Sequence, residues 1–338
     1  MEHLKYSLKN VKKIAVFQRA SLGDTLLATP TLRAIKETCP NSRTVILAKP
    51  AAKDILDGHP LVDDLLLYKK GDSVFPIIKK IWRADLALVL DSHYRSSFFA
   101  WLARIPVRVG RSPVNKSFLT HQVTGTPNCD TYEVENTLAV ARFAGIDTKN
   151  YQLEMAPVRS HEKEKVHQLL QRTGVKDSDK NFVILAPYSL SDIKDWPSSN
   201  YQKVIEFLRI HGYIPIIVSG RENRERADEL KGAINFAGRM NLRETTYLIS
   251  LSQLVICGCT SVLHLAATTH TPQIALYGPT TPVQWAPRTR CIVISKFLDC
   301  SPCYGTVAVC PKGKMCIESI EVDEVLSAIC KVLNITKH

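Results

Sequence analysis

Asp24 closes the run Arg19-Ala20-Ser21-Leu22-Gly23-Asp24, directly after the apolar stretch Ile14–Phe17. A carboxylate at the end of a strand can act as a general base. The same residue at a helix start would cap backbone N–H groups and suit the helix dipole. Gly23 is expected to permit a tight turn. Lys194, in Pro187-Tyr188-Ser189-Leu190-Ser191-Asp192-Ile193-Lys194-Asp195-Trp196-Pro197, could neutralise a phosphate or be a solvated loop lysine. Glu222, in Ser219-Gly220-Arg221-Glu222-Asn223, could bind ribose hydroxyls or serve a helix dipole. Cys257-Gly258-Cys259-Thr260-Ser261-Val262-Leu263-His264 puts hydroxyls at a helix start. Free N–H groups there favour an anion such as a diphosphate, or simply a capped helix. His264 lies one turn in and could be a packed histidine. The polar turn Tyr277-Gly278-Pro279-Thr280-Thr281-Pro282 would face the same cleft.

Four of the ten cysteines, Cys300, Cys303, Cys310 and Cys316, form a C-x2-C-x6-C-x5-C cluster. Four thiolates can hold Zn tetrahedrally, or iron, and the alternative is reduced, unligated thiols. The reading is structural, because no further polar ligand stands beside them. Cys257 and Cys259 read as small buried side chains.

The elements that must position these loops alternate between short apolar runs and helical stretches. Ile14–Phe17, Thr44–Leu47, Asp64–Leu67 and Leu86–Leu90 read as strands. Residues 25–38 read as one helix, kinked at Pro30. The pattern restarts after residue 180. Phe182–Ala186, Ile214–Ser219, Leu254–Cys257 and Ile274–Leu276 read as strands. Asn200–His211, Arg221–Leu230, Leu242–Leu251 and Val262–Thr269 read as helices. Such alternation implies parallel sheets covered on both faces, with ligands bound outside the carboxyl ends of the strands. The polar stretch 150–180 reads as a linker region.

At 338 residues the chain is long enough for roughly two domains. Its 45% hydrophobic and 22% charged content excludes a disordered or low-complexity chain. The formal net charge is +12, and residues 1–150 carry 22 Lys+Arg against 14 Asp+Glu, or +8 of it. Nucleic acid, anionic lipid and a phosphorylated substrate are the partners such charge allows, and solubility alone is the other reading. Nucleic acid is not expected, since no aromatic interleaving or binding motif accompanies the charge. No apolar run approaches the roughly 20 residues of a membrane span. The N-terminal stretch lacks the apolar core of a signal peptide, so a cytoplasmic location is expected.

Taken together and in order, these loops resemble family 9 glycosyltransferases, the ADP-heptose:lipopolysaccharide heptosyltransferases. The stretches that carry the resemblance are Ile14–Asp24 with Thr29-Pro30-Thr31-Leu32-Arg33, Lys194-Asp195-Trp196-Pro197, and Ser219-Gly220-Arg221-Glu222. His264-Leu265-Ala266-Ala267, Thr271-Pro272, Tyr277-Gly278-Pro279-Thr280 with Pro282, and the pair Cys300/Cys303 complete it.

The resemblance implies an α/β GT-B fold, two Rossmann-like domains facing a cleft. The acceptor-binding domain would span 1–165. The nucleotide-sugar domain would span 166–338 and include the Cys-rich segment 300–316. It also implies inverting transfer that needs no metal for chemistry, with only a structural Zn or Fe at the cysteines. Asp24 would be the base and Lys194 would stabilise the departing diphosphate. Ser189, Lys194, Glu222, Thr260, Ser261, His264, Gly278 and Thr280 would hold the donor. Arg19, Ser21 and Gly23 would line the acceptor side. The implied partners are ADP-heptose and an acidic glycolipid of the Kdo-lipid A type, at the cytoplasmic face of the inner membrane. One departure is local: the family usually carries Asp-Thr/Ser-Gly before the HLAA helix, and this chain has Cys259-Thr260-Ser261. Another sugar, a protein acceptor as in the autotransporter heptosyltransferases, or a non-catalytic nucleotide-binding relative are the alternatives this leaves.

Overall fold

The computed structural model describes residues 8–111, 117–125, 129–176, 179, 181–303, 310 and 312–335. The chain divides into two compact units, Met1–Pro157 and Val158–His338. The division precedes a helix at Ser160–Arg172, so a boundary at 165/166 would cut that helix.

The first unit holds strands β1 (Lys13–Gln18), β2 (Arg43–Ala48), β3 (Asp64–Leu67), β4 (Leu86–Val89), β5 (Val107–Arg111) and β6 (His121–Val123). They form one parallel sheet in the order β3-β2-β1-β4-β5-β6. Its helices are α1 (Leu22–Leu27), α2 (Thr29–Thr38), α3 (Lys53–Leu56), α4 (Phe75–Ile81), α5 (Tyr94–Leu102) and α6 (Glu133–Phe143). The central strands are apolar throughout because helices cover both faces. Ala15, Phe17, Val45, Leu47, Ala87 and Val89 pack on one face against Ile77, Ile81, Phe99 and Ala100 from α4 and α5. Each fully buried side chain of this kind contributes roughly 1.5–3 kcal/mol.

The second unit repeats the plan. It begins with α7 (Ser160–Arg172) and holds β7 (Phe182–Ala186), β8 (Ile214–Ile217), β9 (Ile234–Asn235), β10 (Leu254–Gly258), β11 (Gln273–Tyr277) and β12 (Cys291–Ser295). The parallel order is β12-β11-β10-β7-β8-β9. In both units the first strand lies between the second and the fourth, the order of dinucleotide-binding sheets. The helices are α8 (Ser198–Ile210), α9 (Arg224–Glu229), α10 (Leu242–Leu251), α11 (Ser261–Thr269), α12 (Pro282–Trp285), α13 (Met315–Glu318) and α14 (Val322–Leu333).

Two local expectations are corrected. Residues 25–38 do not form one kinked helix. Ala28 ends α1 and starts α2, and Pro30 sits in the first turn of α2, where its missing N–H costs nothing. Gly23 does not make a tight turn. It is buried inside the first turn of α1, and its φ is not positive. Among the described residues no helix is long and apolar enough to cross a membrane.

Candidate active site

In the first unit the site residues gather at the carboxyl end of β1. Ser21 caps α1, and Asp24 is the third residue of that helix in a reciprocal capping box. The Ser21 hydroxyl donates to Asp24 Oδ2 at 2.5 Å and the Ser21 backbone N–H to the same oxygen at 3.0 Å. Gln18 Nε2 donates to the Asp24 carbonyl at 3.2 Å. Asp24 is thus not the N-cap itself, which is Ser21, but the N3 partner of its capping box, and this does not exclude the base: the carboxylate is half-buried and fixed in orientation.

Two buried acids near the neighbouring strand ends, one after β4 and one in the first turn of α6, carry no signal in the sequence. Asp91, at the end of β4, accepts the backbone N–H of Arg19 and the Ser96 hydroxyl on Oδ2, and the His93 N–H on Oδ1, each at 2.8 Å. Burial raises its pKa, and these hydrogen bonds oppose the rise. Glu133, in the first turn of α6, forms a buried ion pair with Arg111 from the end of β5. These partners stand in register only once the sheet forms.

In the second unit Lys194 leaves the β7 loop and reaches the β10 loop, its Nζ 3.5 Å from the Cys259 carbonyl. The Lys194 carbonyl would lie 3.3 Å from a Cβ at position 258, which accounts for Gly258 there. Asp195 organises this loop. It accepts the Ser189 N–H (2.8 Å) and hydroxyl (2.9 Å) on Oδ1 and Arg226 Nη2 (3.1 Å) on Oδ2. Arg226 in turn lies 4.0 Å over the Tyr188 ring. Ser189 is thus a loop brace.

Thr260 caps α11 by position, yet its hydroxyl makes no cap bond. Among the described residues of this unit, the buried side-chain atoms without a hydrogen-bond partner are Thr260 Oγ1, His264 Nδ1, Tyr277 OH and Thr280 Oγ1. Thr260 and Thr280 sit on the two turns singled out as a diphosphate cradle, while His264 lies within α11 and Tyr277 ends β11. The Tyr277 hydroxyl has the thiol of Cys259 beside it, a weak partner. Each orphaned group costs about 1–3 kcal/mol. The two threonine hydroxyls, at the ends of neighbouring strands, are free to bond the oxygens of a ligand. Burial pushes the His264 pKa down to about 4, so its imidazole is neutral at pH 7. Cys257 is buried as expected, whereas Cys259 is only half-buried, at the mouth of the cradle. Glu222 is exposed at the end of β8, its carboxylate folded over Gly220 where a Cβ would stand.

The Cys-rich segment docks onto the second turn. Ser301 Oγ donates to the Gly278 carbonyl at 2.5 Å, and the Cys303 N–H to the Pro279 carbonyl at 2.9 Å. A Cβ on residue 278 would lie 2.7 Å from Ile317 Cβ, so glycine is required there. Lys314 Nζ reaches Asp192 of the Lys194 loop at 3.1 and 3.2 Å. Cys300, Cys303, Cys310 and Cys316 line one cavity of about 120 Å³ with Ile193 and Pro279. Burial raises the Cys316 thiol, a Ser301 hydrogen bond opposes this, and the other three thiols add to the rise. The donor set suits Zn or iron in number and softness. Among the described residues, however, no three potential ligands stand in an arrangement that could hold an ion.

Residues 75–313 match the family profile described as glycosyltransferase family 9 (heptosyltransferase). The chain belongs to this family. It is 29% identical over 299 residues to lipopolysaccharide heptosyltransferase 3 of Escherichia coli K12, covering 80% of this chain and 84% of that one. Its fold matches the solved family 9 glycosyltransferase of Veillonella parvula with a TM-score of 0.83 and 19% identity, over 96% and 98% of the two chains. The solved E. coli ADP-heptose lps heptosyltransferase II matches with a TM-score of 0.77 and 20% identity, over 95% and 98%. The chain is a glycosyltransferase of the GT-B fold, as its loops imply.

Proposed function

We propose that the chain moves heptose from ADP-heptose to the inner core of a Kdo-lipid A type acceptor, with inversion at the anomeric carbon. The observation that carries the reading is the pair of unpartnered hydroxyls, Thr260 and Thr280, on the β10 and β11 turns, with neutral His264 one turn into α11 and Lys194 beside them. A nucleoside diphosphate brings the oxygens such groups lack. The second unit is then the donor side and the first, with Asp24, the acceptor side. In the reaction the acceptor oxygen forms a bond to the anomeric carbon as the bond from that carbon to the diphosphate oxygen breaks. Asp24 takes the acceptor proton, and ADP leaves with the bonding electrons. Lys194, Thr260, Thr280 and neutral His264 stabilise charge that grows on the diphosphate. Glu222 holds the ribose. No metal is required for these steps.

The relatives above are named for lipopolysaccharide heptosyl transfer, and this supports the substrate class. Cys259, where the family usually carries an acid, favours a second reading in which the sugar is not heptose. Mass spectrometry of products, after incubation with Kdo-lipid A and a panel of nucleotide sugars, tests both. A heptose mass increment from ADP-heptose is expected. An increment from another donor alone overturns the heptose assignment, and no increment from any donor overturns the acceptor.

Two further readings belong to this proposal. The four thiols line one cavity, and closing together on a structural Zn or Fe they would brace the Gly278–Thr280 turn. The protein also works peripherally at the cytoplasmic face of the inner membrane. Among the described residues of the first unit, the exposed large apolar ones are Phe75, Trp82, Tyr94, Trp101 and Leu102, all within residues 75–102. Lys79, Arg83 and Arg104 are exposed among them, and Arg104 lies 5.6 Å over the Trp82 ring. Arg83 and Arg104 take left-handed φ of 47° and 54° at helix ends where glycine is favoured. Aromatic and cationic side chains together suit the anionic headgroup layer.

A further inference from the structure

Arg19 is only 7% exposed, yet its Nε and Nη1 meet no acceptor. The nearby carboxylate is engaged elsewhere. Asp91 bonds the backbone N–H of Arg19, the His93 N–H and the Ser96 hydroxyl and balances the guanidinium through space, while Arg19 Nε and Nη1 stay without an acceptor. The guanidinium is held 4.8 Å over the Tyr68 ring, which limits its orientation. A second cation, Arg95, lies close enough to oppose its charge and stands 5.0 Å over the Tyr94 ring. Burying a cation without a bonded partner costs several kcal/mol, and native proteins rarely tolerate it. A planar fork fixed by stacking, with nitrogens to spare, is shaped for an oxyanion. It stands on the loop that carries Asp24.

We propose that Arg19 is an anion receptor for the acceptor, binding a carboxylate or phosphate that the acceptor carries close to the hydroxyl to be glycosylated. Arg95 is the second cation around that group. The inference rests on Asp24 marking the acceptor side. It narrows the acceptor to alcohols with a neighbouring oxyanion, read by a fork of hydrogen bonds.

Arg19→Met keeps the length of the side chain and removes charge and fork; Arg19→Lys keeps the charge alone. Both are assayed with Kdo-lipid A, with its carboxyl reduced to an alcohol, and with its phosphates removed. Arg19→Met should raise the KM for intact acceptor at least tenfold and leave the KM for ADP-heptose unchanged. Arg19→Lys should recover part of the loss. The penalty should vanish with one of the two neutralised acceptors, which identifies the group bound. A penalty that persists with both overturns the proposal. Calorimetric titration of the same acceptors into Asp24→Ala protein reads the receptor without turnover, so failure of the base assignment is seen separately. Arg19→Met should unfold at or above the wild-type temperature, because an unpaired buried charge has been removed. A lower melting temperature with unchanged KM values means a structural arginine and sinks the receptor. With no lipid present, inorganic phosphate should raise the melting temperature of wild type more than that of Arg19→Met. An equal shift in both overturns the proposal.

Discussion

The two units share one strand order but arm its carboxyl ends differently. The first unit puts charge there: Arg19, Asp91, and the Arg111–Glu133 pair, all buried. The second sets neutral groups beside Lys194 and the Asp195–Arg226 pair: the hydroxyls of Thr260, Tyr277 and Thr280 and an imidazole whose pKa has fallen to about 4. A sheet topology fixes where a ligand can lie and says little about which ligand. A carboxylate base and a cationic fork suit an alcohol with an acidic substituent. Neutral donors beside one lysine suit a diphosphate that must leave once it has gained charge.

The sharpest test of this division is Asp24→Ala. Turnover should fall about 10²–10⁴-fold, the usual contribution of a general base, while calorimetric ADP affinity stays at the wild-type value. A parallel loss of ADP affinity would merge the two sides. Next come the thiols, which only the second unit carries as a cluster. Elemental analysis should find about one Zn or Fe per chain, and Cys300→Ser with Cys303→Ser should lose both the metal and most ADP binding. A metal-free wild-type protein with full ADP binding ends that reading. The first unit's aromatic face should bind vesicles containing anionic lipid at least tenfold better than neutral ones, at about 1 kcal/mol per cation near the surface. Trp101→Glu should remove that preference, and equal binding to both vesicle types would discard the face. Thr280→Val should weaken ADP about tenfold, the value of one hydrogen bond to a charged group, without loss of stability. Undiminished affinity would mean its orphaned hydroxyl serves no donor.

The smallest effect is on stability. His264 titrates near 4 when folded and near 6.5 when unfolded, so the folded state binds fewer protons between those values. Its contribution is present above pH 6.5 and is lost as pH falls through about 4, a change of at most about 3 kcal/mol. Denaturant titrations of His264→Gln should show a flatter acid limb; an unchanged slope would place the acid sensitivity elsewhere.

Much of this is written in the sequence at short range. The runs at Ile14–Phe17 and Phe182–Ala186 are apolar because both faces of their strands are covered, so they read as strands without a structure. Thr260 and Thr280 are legible because hydroxyls follow apolar runs in strand-to-helix turns. The edge strands β6 and β9 are not, since they are three and two residues long and only half-buried. β5, with Arg108, Gly110 and Arg111, lacks the apolar pattern that marks its neighbours. The pairing of Arg19 with Asp91 joins positions 72 apart, and no local spacing encodes it. Asp195 lies inside a motif that draws attention to Lys194, and its bonds to Ser189 and Arg226 appear only when the loop closes. That a hydroxyl is buried without a partner is a property of packing, and no sequence pattern carries it.

Gly278 has a consequence for how this chain can change. With Ile317 Cβ 2.7 Å from where a side chain would begin, and Ser301 bonded to its carbonyl, the turn and the Cys-rich segment are cut to one another's shape. A chimera that exchanges residues 300–317 between relatives and keeps its own turn should lose the nucleotide, whereas exchanging both together should carry it across.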